Sequence, residues 1–242
     1  MMSGQKVVFI TQARMGSSRL PGKVLRRVAG EPLLFWFLRR ATTVRCCSGV
    51  CVATSVSGEN DEIERFVERT FPEVHVARGP EEDVLSRYWQ AACETGAHAV
   101  VRVTSDDPFF DPLLVERCVA ALRERGADAA RTLKGEFPVG LDVEVFSRDA
   151  LRTAFESATD AFEREHVGPY VFQTHSSDFR IAWVGNDGAE WPRCRLTVDY
   201  AEDFEFAERL FSEVGGMAST DEFRLYLSSH PEVAAINLMH AH

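Results

Sequence analysis

Lys6 to Thr11 (KVVFIT) is β-branched and aromatic, with apolar side chains on successive positions. Such a run suits a strand covered on both faces of a sheet. Pro32 to Ala41 reads as a helix, with proline in the first turn, where its missing N–H costs little. Gly49 to Thr54 (GVCVAT) repeats the strand signal. Ile63, Phe66, Val67 and Phe71 then share one face of a helix, while Asp61, Glu62, Glu64, Arg65 and Glu68 keep the other wet. A short strand at Val74 to Ala77 is followed by a helix with an apolar stripe of Val84, Leu85, Tyr88, Trp89 and Ala92. Ala97 to Thr104 (AHAVVRVT) is a fourth strand, and Pro112 to Arg125 a helix that Gly126 ends. This alternation predicts an α/β fold of three layers, a mostly parallel central sheet between helices joined by right-handed crossovers.

From about Ala127 the pattern loosens. Short β segments near Ala129 to Thr132, Leu141 to Phe146, Arg180 to Val184 and Arg195 to Thr197 are interrupted by helices, which reads as a small α+β extension completing the sheet. No internal repeat or Pro/Ser-rich linker marks a boundary, so the 242 residues are expected to form a single domain with halves 1–126 and 127–242.

Composition narrows the classes. With 45% hydrophobic and 26% charged residues the chain is an ordinary globular mixture, which excludes disorder. The longest strongly apolar stretch, Leu33 to Leu38, is far short of the ~20 residues that cross a bilayer. MMSGQK carries no secretion signal, so the expected address is cytoplasmic and no membrane partner is expected. Lys plus Arg number 27 against 37 Asp plus Glu, a formal charge of −10 that repels polyanions and argues against nucleic acid. The six cysteines show no C-x-x-C pair, and buried reduced thiols are expected.

In an open parallel sheet the ligand lies outside the carboxyl ends of the strands. The loop after the first strand, Gln12 to Lys23, holds Arg14, Arg19 and Lys23, two serines and two glycines. It is neither G-x-G-x-x-G nor a P-loop, because five residues separate Gly16 from Gly22 and Val24 follows Lys23. Its chemistry is still that of polyphosphate binding, with backbone N–H groups freed by glycine and cations to neutralise charge; the alternative is a solvated basic loop. After the fourth strand, Ser105-Asp106-Asp107-Pro108 puts carboxylates at the same edge, where a hard cation such as Mg²⁺ takes oxygen ligands. Asp106 is the better metal candidate; Asp107 could be a turn residue, and Asp111 before Pro112 reads as a helix N-cap. Asp199, ending a short strand, could complete the metal site with Asp106, while Glu202 and Asp203 suit the first turn of a helix. Neither H-E-x-x-H nor G-x-S-x-G is present.

With these loops the sequence resembles the cytidylyltransferases, closest to the family of the spore-coat polysaccharide biosynthesis protein F and more distantly those that activate Kdo and acylneuraminate. The resemblance runs to about Val214 and is carried by QARMGSSRLPGKVL (12–25), RGPEEDVLSRYWQAA (78–92), RVTSDDPFFDP (102–112), GLDVEVF (140–146), EREHVGPY (163–170) and RLTVDYAEDFE (195–205). It implies a Rossmann-like nucleotidyltransferase fold and transfer of CMP from CTP to a small sugar-type acceptor with Mg²⁺ as cofactor. Arg14, Ser18 and Lys23 would contact the phosphates of CTP, and Ala13, Ala53, Thr54 and Ser55 would lie near base and ribose. Arg102 and Thr104 would join the nucleotide site. Lys23, Arg14 and Asp106 would carry the chemistry, with Mg²⁺ on Asp106 and Asp199. Asp142, Glu144, Glu165 and His166 would line the acceptor side; a salt-bridged rim is the alternative for these four. The family's usual Gly-Asp-Cys is Ser105-Asp106-Asp107 here, a departure at the base or metal pocket. Members often form homodimers through the C-terminal half, though no self-complementary patch is legible. Two other readings stay open: a phosphate or phosphonate acceptor, and a glycosyltransferase using a nucleotide sugar, whose usual D-x-D motif Asp106-Asp107 does not supply.

Overall fold

The computed structural model describes residues 5–17, 19–188 and 190–240. Strand β1 (Val7–Gln12) is followed by the loop expected from the sequence, then by a two-strand antiparallel hairpin, β2 (Arg27–Val28) and β3 (Glu31–Pro32). Helix α1 (Leu33–Ala41), β4 (Val50–Ser55), α2 (Asp61–Thr70), β5 (His75–Gly79), α3 (Val84–Glu94), β6 (Ala99–Arg102) and α4 (Pro112–Glu124) keep the strict alternation. The second half supplies β7 (Ala129–Thr132), β8 (Glu144–Ser147), α5 (Arg148–Ser157), α6 (Ala161–His166), β9 (Ile181–Val184), α7 (Ala201–Val214), α8 (Thr220–Ser229) and α9 (Pro231–Ala234).

Seven strands form one sheet in the order β5-β4-β1-β6-β8-β7-β9. Pairing is parallel except on both sides of β8, which alone runs against the other six. Successive residues of β1 divide between two cores, Val7 and Phe9 on one face and Val8 and Ile10 on the other. That division is why its apolar run is unbroken. After β1 the chain moves outward to β4 and β5, then returns to β6 on the other flank of β1. The crevice beyond the carboxyl ends of β1 and β6 is therefore the topological switch point, where ligands of open α/β sheets bind. Both loops singled out by their chemistry leave from these two strands.

The expected ends hold where local chemistry sets them. Asp111 accepts from the Leu113 N–H and caps α4, and Gly126, at φ 56°, follows that helix's last turn. Two strand expectations shift. Where Leu141 to Phe146 is expected, the strand begins at Glu144 and runs to Ser147, because the segment before it turns at Gly140. Arg195 to Thr197 is extended but pairs with loops instead of a strand: Leu196 N–H donates to Val139 O at 2.7 Å and Val198 N–H to Asp106 O at 2.8 Å. Gly140 is required at that contact. Its φ is 101°, and a Cβ there would lie 2.4 Å from the Leu196 carbonyl. All six cysteines are unpaired; Cys51, Cys118 and Cys194 are buried as expected, Cys46 and Cys47 are half-buried and Cys93 is exposed. No helix among the described residues is long and apolar enough to cross a membrane.

Candidate active site

The loop after β1 folds on itself. Met15 O accepts from Ser17 and Gly22 N–H, Ser17 Oγ accepts from Leu20 N–H, and Asn60 Oδ1 holds the Met15 N–H. Gly22, left-handed at φ 67°, then turns the chain into a short 3₁₀ segment, Lys23–Leu25, that points Lys23 inward. Only 8% of Lys23 is exposed. Its ammonium has three hydrogens and three acceptors: Asp106 Oδ2 at 2.8 Å, Asp199 Oδ1 at 2.9 Å and Val198 O at 2.8 Å. Burial works to lower the affinity of Lys23 for its proton, but the charges of Asp106 and Asp199 outweigh it and hold it above the ordinary lysine value. Burial likewise opposes ionisation of Asp106, and the Lys23 charge overcomes it, leaving that carboxyl below its usual range.

The two acids come from segments 93 positions apart that are stitched by backbone: Asp106 O accepts from Val198 N–H and from Thr197 Oγ1. Asp199 Oδ2 binds Arg195 Nη2 at 2.8 Å, and Arg19 lies 3.2 Å from its other oxygen. Arg195 Nε in turn contacts Asp203, which is fully buried and accepts from the Asp199 and Tyr200 N–H groups at the start of α7. Asn237 donates to Asp203 Oδ1 and Arg195 O, so the C-terminal turn beyond α9 buttresses the site. Three acids are thus interleaved with three cations, which lowers the cost of gathering them out of water.

Two cavities meet at this cluster. The first, of about 280 Å³, is lined by Gln12, Ala13, Arg14, Lys23, Val84 and Arg87, with Glu165 and His166 on its rim. The second, of about 290 Å³, is lined by Asp107, Arg131, Gly140, Asp142, Glu144 and Thr197. Arg102, Thr104, Asp106 and Asp199 belong to both walls. Beyond Arg131, Val139 and Asp142 the second cavity adjoins a wider groove that includes Phe137 and Trp191.

The placement of the expected residues follows. Ala13, Arg14, Lys23, Arg102, Thr104, Asp106 and Asp199 all face the cavities, whereas Ser18 lies outside the described residues. Ala53, Thr54 and Ser55 are not brought to either cavity. All three have no exposed surface, and Ser55 Oγ accepts from Asn60 and from Ser57 N–H, because the end of β4 is covered by the 3₁₀ turn Gly58–Asn60. The group of four also divides. Asp142 and Glu144 line the second cavity, where Glu144 binds Arg102 at 2.7 Å and Arg131 at 3.3 Å. Glu165 and His166 end α6 on the side of the first cavity, and Glu165 lies 3.8 Å from Arg14. Asp107 faces the second cavity and accepts from Thr104 Oγ1 at 2.8 Å; burial, and then the Asp106 charge, push its carboxyl well above the usual range. No sequence motif assigns a role to Arg87, Arg131 or Arg195, which line the cavities as well. The signal for Arg87 is a cation inside the apolar stripe of its own helix, three residues after Val84 and four before Ala91.

Residues 8–230 match the family model described as cytidylyltransferase. The chain is 31% identical over 238 residues to the spore coat polysaccharide biosynthesis protein SpsF of Bacillus subtilis, covering 94% of this chain and 96% of that one. A solved cytidylyltransferase from Leptospira borgpetersenii superposes with a TM-score of 0.88 at 27% identity, over 95% of this chain and 97% of the other. A CMP-2-keto-3-deoxy-manno-octonic acid synthetase solved with CTP gives a TM-score of 0.65 at 18% identity, over 86% and 99%, and so shares the fold. A family match across nearly the whole chain, with a curated relative and a solved structure aligned over almost all of it, makes this protein a nucleotidyltransferase that belongs to the cytidylyltransferase family.

Proposed function

We propose that this enzyme transfers CMP from CTP to a small sugar-type acceptor for surface polysaccharide synthesis, with release of pyrophosphate. The observation that carries the reading is the Lys23 ammonium shared by Asp106 and Asp199 where the two cavities meet. Nucleotidyl transfer needs the triphosphate on one side of such a point and an attacking oxygen on the other. CTP would occupy the first cavity and the acceptor the second. The roles of SpsF in spore coat polysaccharide and of the octonic acid synthetase toward CTP, as their names give them, support the choice of substrates.

In-line displacement at the α-phosphorus asks the protein for placement and charge neutralisation. Arg14 and Arg19 would take phosphate oxygens from the loop side, Lys23 would turn one or more of its N–H groups from the carboxylates to the phosphates, and Arg102 stands on the wall common to both cavities. The donor set fits magnesium. Asp106 and Asp199 already share one cation at 2.8–2.9 Å, and no group of three or more His, Cys, Asp or Glu suited to a metal occurs among the described residues. Two carboxylates with phosphates and waters are what Mg²⁺ takes in nucleotide enzymes. When bound, the ion would supply positive charge to the leaving pyrophosphate. Six unpaired thiols suit the reducing cytoplasm, and a homodimer belongs to the same proposal.

The test is pyrophosphate release with each NTP, Mg²⁺ and a panel of 2-keto sugar acids, sugar phosphates and phosphonates. Release with CTP that requires both an acceptor and the divalent ion is expected. Sugar transfer from a nucleotide sugar without pyrophosphate would replace the proposal with the glycosyltransferase reading.

A further inference from the structure

Arg87 is the anomaly of the first cavity. Only 2% of it is exposed, and its Nε and Nη1 are buried without a hydrogen-bond partner among the described residues. No carboxylate among the described residues forms an ion pair with it; burial, and after it the Arg14 charge, lower its hold on the proton, which Tyr88 and the more distant Glu81 and Asp83 offset only in part. A buried, unsatisfied guanidinium costs free energy, and Arg87 lines a cavity into which a ligand could bring acceptors.

Its position indicates which part of a nucleotide those acceptors belong to. Arg87 packs at the end of β5, where a Cβ on Gly79 would lie 3.0 Å from Arg87 Cγ. Asp106 and the Lys23 ammonium lie beyond β6, on the far side of β4 and β1. Three strand spacings of about 4.8 Å separate the two ends, so Arg87 enters the cavity from the β5 side, opposite the wall that carries Asp106. Ala13 and Val84 supply apolar wall to the same cavity, which suits a flat ring.

Resting on the proposed CTP site, we infer that the Arg87 fork reads the pyrimidine edge of the nucleotide and sets the preference for cytosine over uracil. Cytosine presents two neighbouring acceptors, O2 and N3, which match the parallel N–H donors that Nη1 and Nη2 of a guanidinium present. Uracil carries a hydrogen on N3, so one guanidinium N–H would face an N–H and stay unpaired. A good bidentate contact of this kind is worth roughly 10- to 100-fold in base discrimination.

The experiment is calorimetric titration of the full-length protein, in Mg²⁺, with CTP, UTP and tripolyphosphate, for wild type, Arg87→Lys and Arg87→Gln, with thermal unfolding of each. Lysine keeps the charge and loses the fork. The expected result is a wild-type preference for CTP that falls by roughly 10- to 100-fold in both variants, through weaker CTP binding, with tripolyphosphate affinity and fold unchanged. An unaltered CTP-to-UTP ratio overturns the inference. So does a loss shared equally by CTP, UTP and tripolyphosphate, which would make Arg87 a phosphate contact. Wild-type protein that binds no nucleotide would instead remove the CTP site on which the inference rests.

Discussion

The two cavities are built differently. The first takes nearly half of its lining from one contiguous loop, residues 12–24, with α3 closing one side, and it holds two cations, Arg14 and Arg87, that form no short ion pair among the described residues, beside Arg19, Lys23 and Arg102, which are paired. The second is assembled from strand ends and coils at 102–107, 131, 139–144 and 195–199, and its charges are already spent on each other, with Glu144 between Arg102 and Arg131 and Asp199 between Lys23 and Arg195. Unpaired cations suit a polyanion that arrives with its own charge. A pre-paired network suits a neutral or weakly charged polyhydroxyl partner, whose hydroxyls can be slotted among fixed donors and acceptors. The difference teaches that nucleotide affinity should rest on few residues and acceptor placement on many.

Variants can break that contrast. At the junction, Asp106→Asn should lower turnover by about 10³-fold while circular dichroism shows the fold kept; turnover near wild type would take Asp106 out of the mechanism. Asp203→Ala, behind the junction, should lower stability by about 3–5 kcal/mol, read from denaturant unfolding, because it strands Arg195 and the N–H groups of Asp199 and Tyr200. A loss below about 1 kcal/mol would mean that the tail and Asn237 do not brace the site. In the first cavity, Lys23→Ala should weaken CTP binding by about 10- to 100-fold in calorimetry, and unchanged affinity would argue that Lys23 never leaves its carboxylates. In the second, Glu144→Gln should leave CTP affinity within about twofold while turnover falls by about tenfold; a matching fall in CTP affinity would merge the two cavities into one site.

The same division explains what the sequence made legible. The β-α order to Gly126, the N-cap at Asp111 and the basic loop follow from short-range patterns, and the structure reproduces them within a residue or two. The loop's cations could be read as a site because they are close in sequence. Arg131 and Arg195 could not, because only the sheet order and the contact of 195–198 with Val139 and Asp106 bring them to the crevice. Ala53 to Ser55 sit at a strand's carboxyl end, as a binding segment should, but the turn at Gly58–Asn60 covers them. The resemblance groups Glu165 and His166 with Asp142 and Glu144 on the acceptor side, but they stand on another wall in space, since α6 packs against α3. Sequence order predicts neighbours along the chain, and function here depends on which strand ends converge.

The most direct test of the central claim is a crystal structure with CTP and Mg²⁺ bound. The triphosphate should lie along the 12–24 loop, with the α-phosphate within hydrogen-bond reach of Lys23 Nζ and the metal shared by Asp106 and Asp199. Phosphates placed elsewhere, with the Lys23 ammonium still locked on both carboxylates and Val198 O, would contradict it.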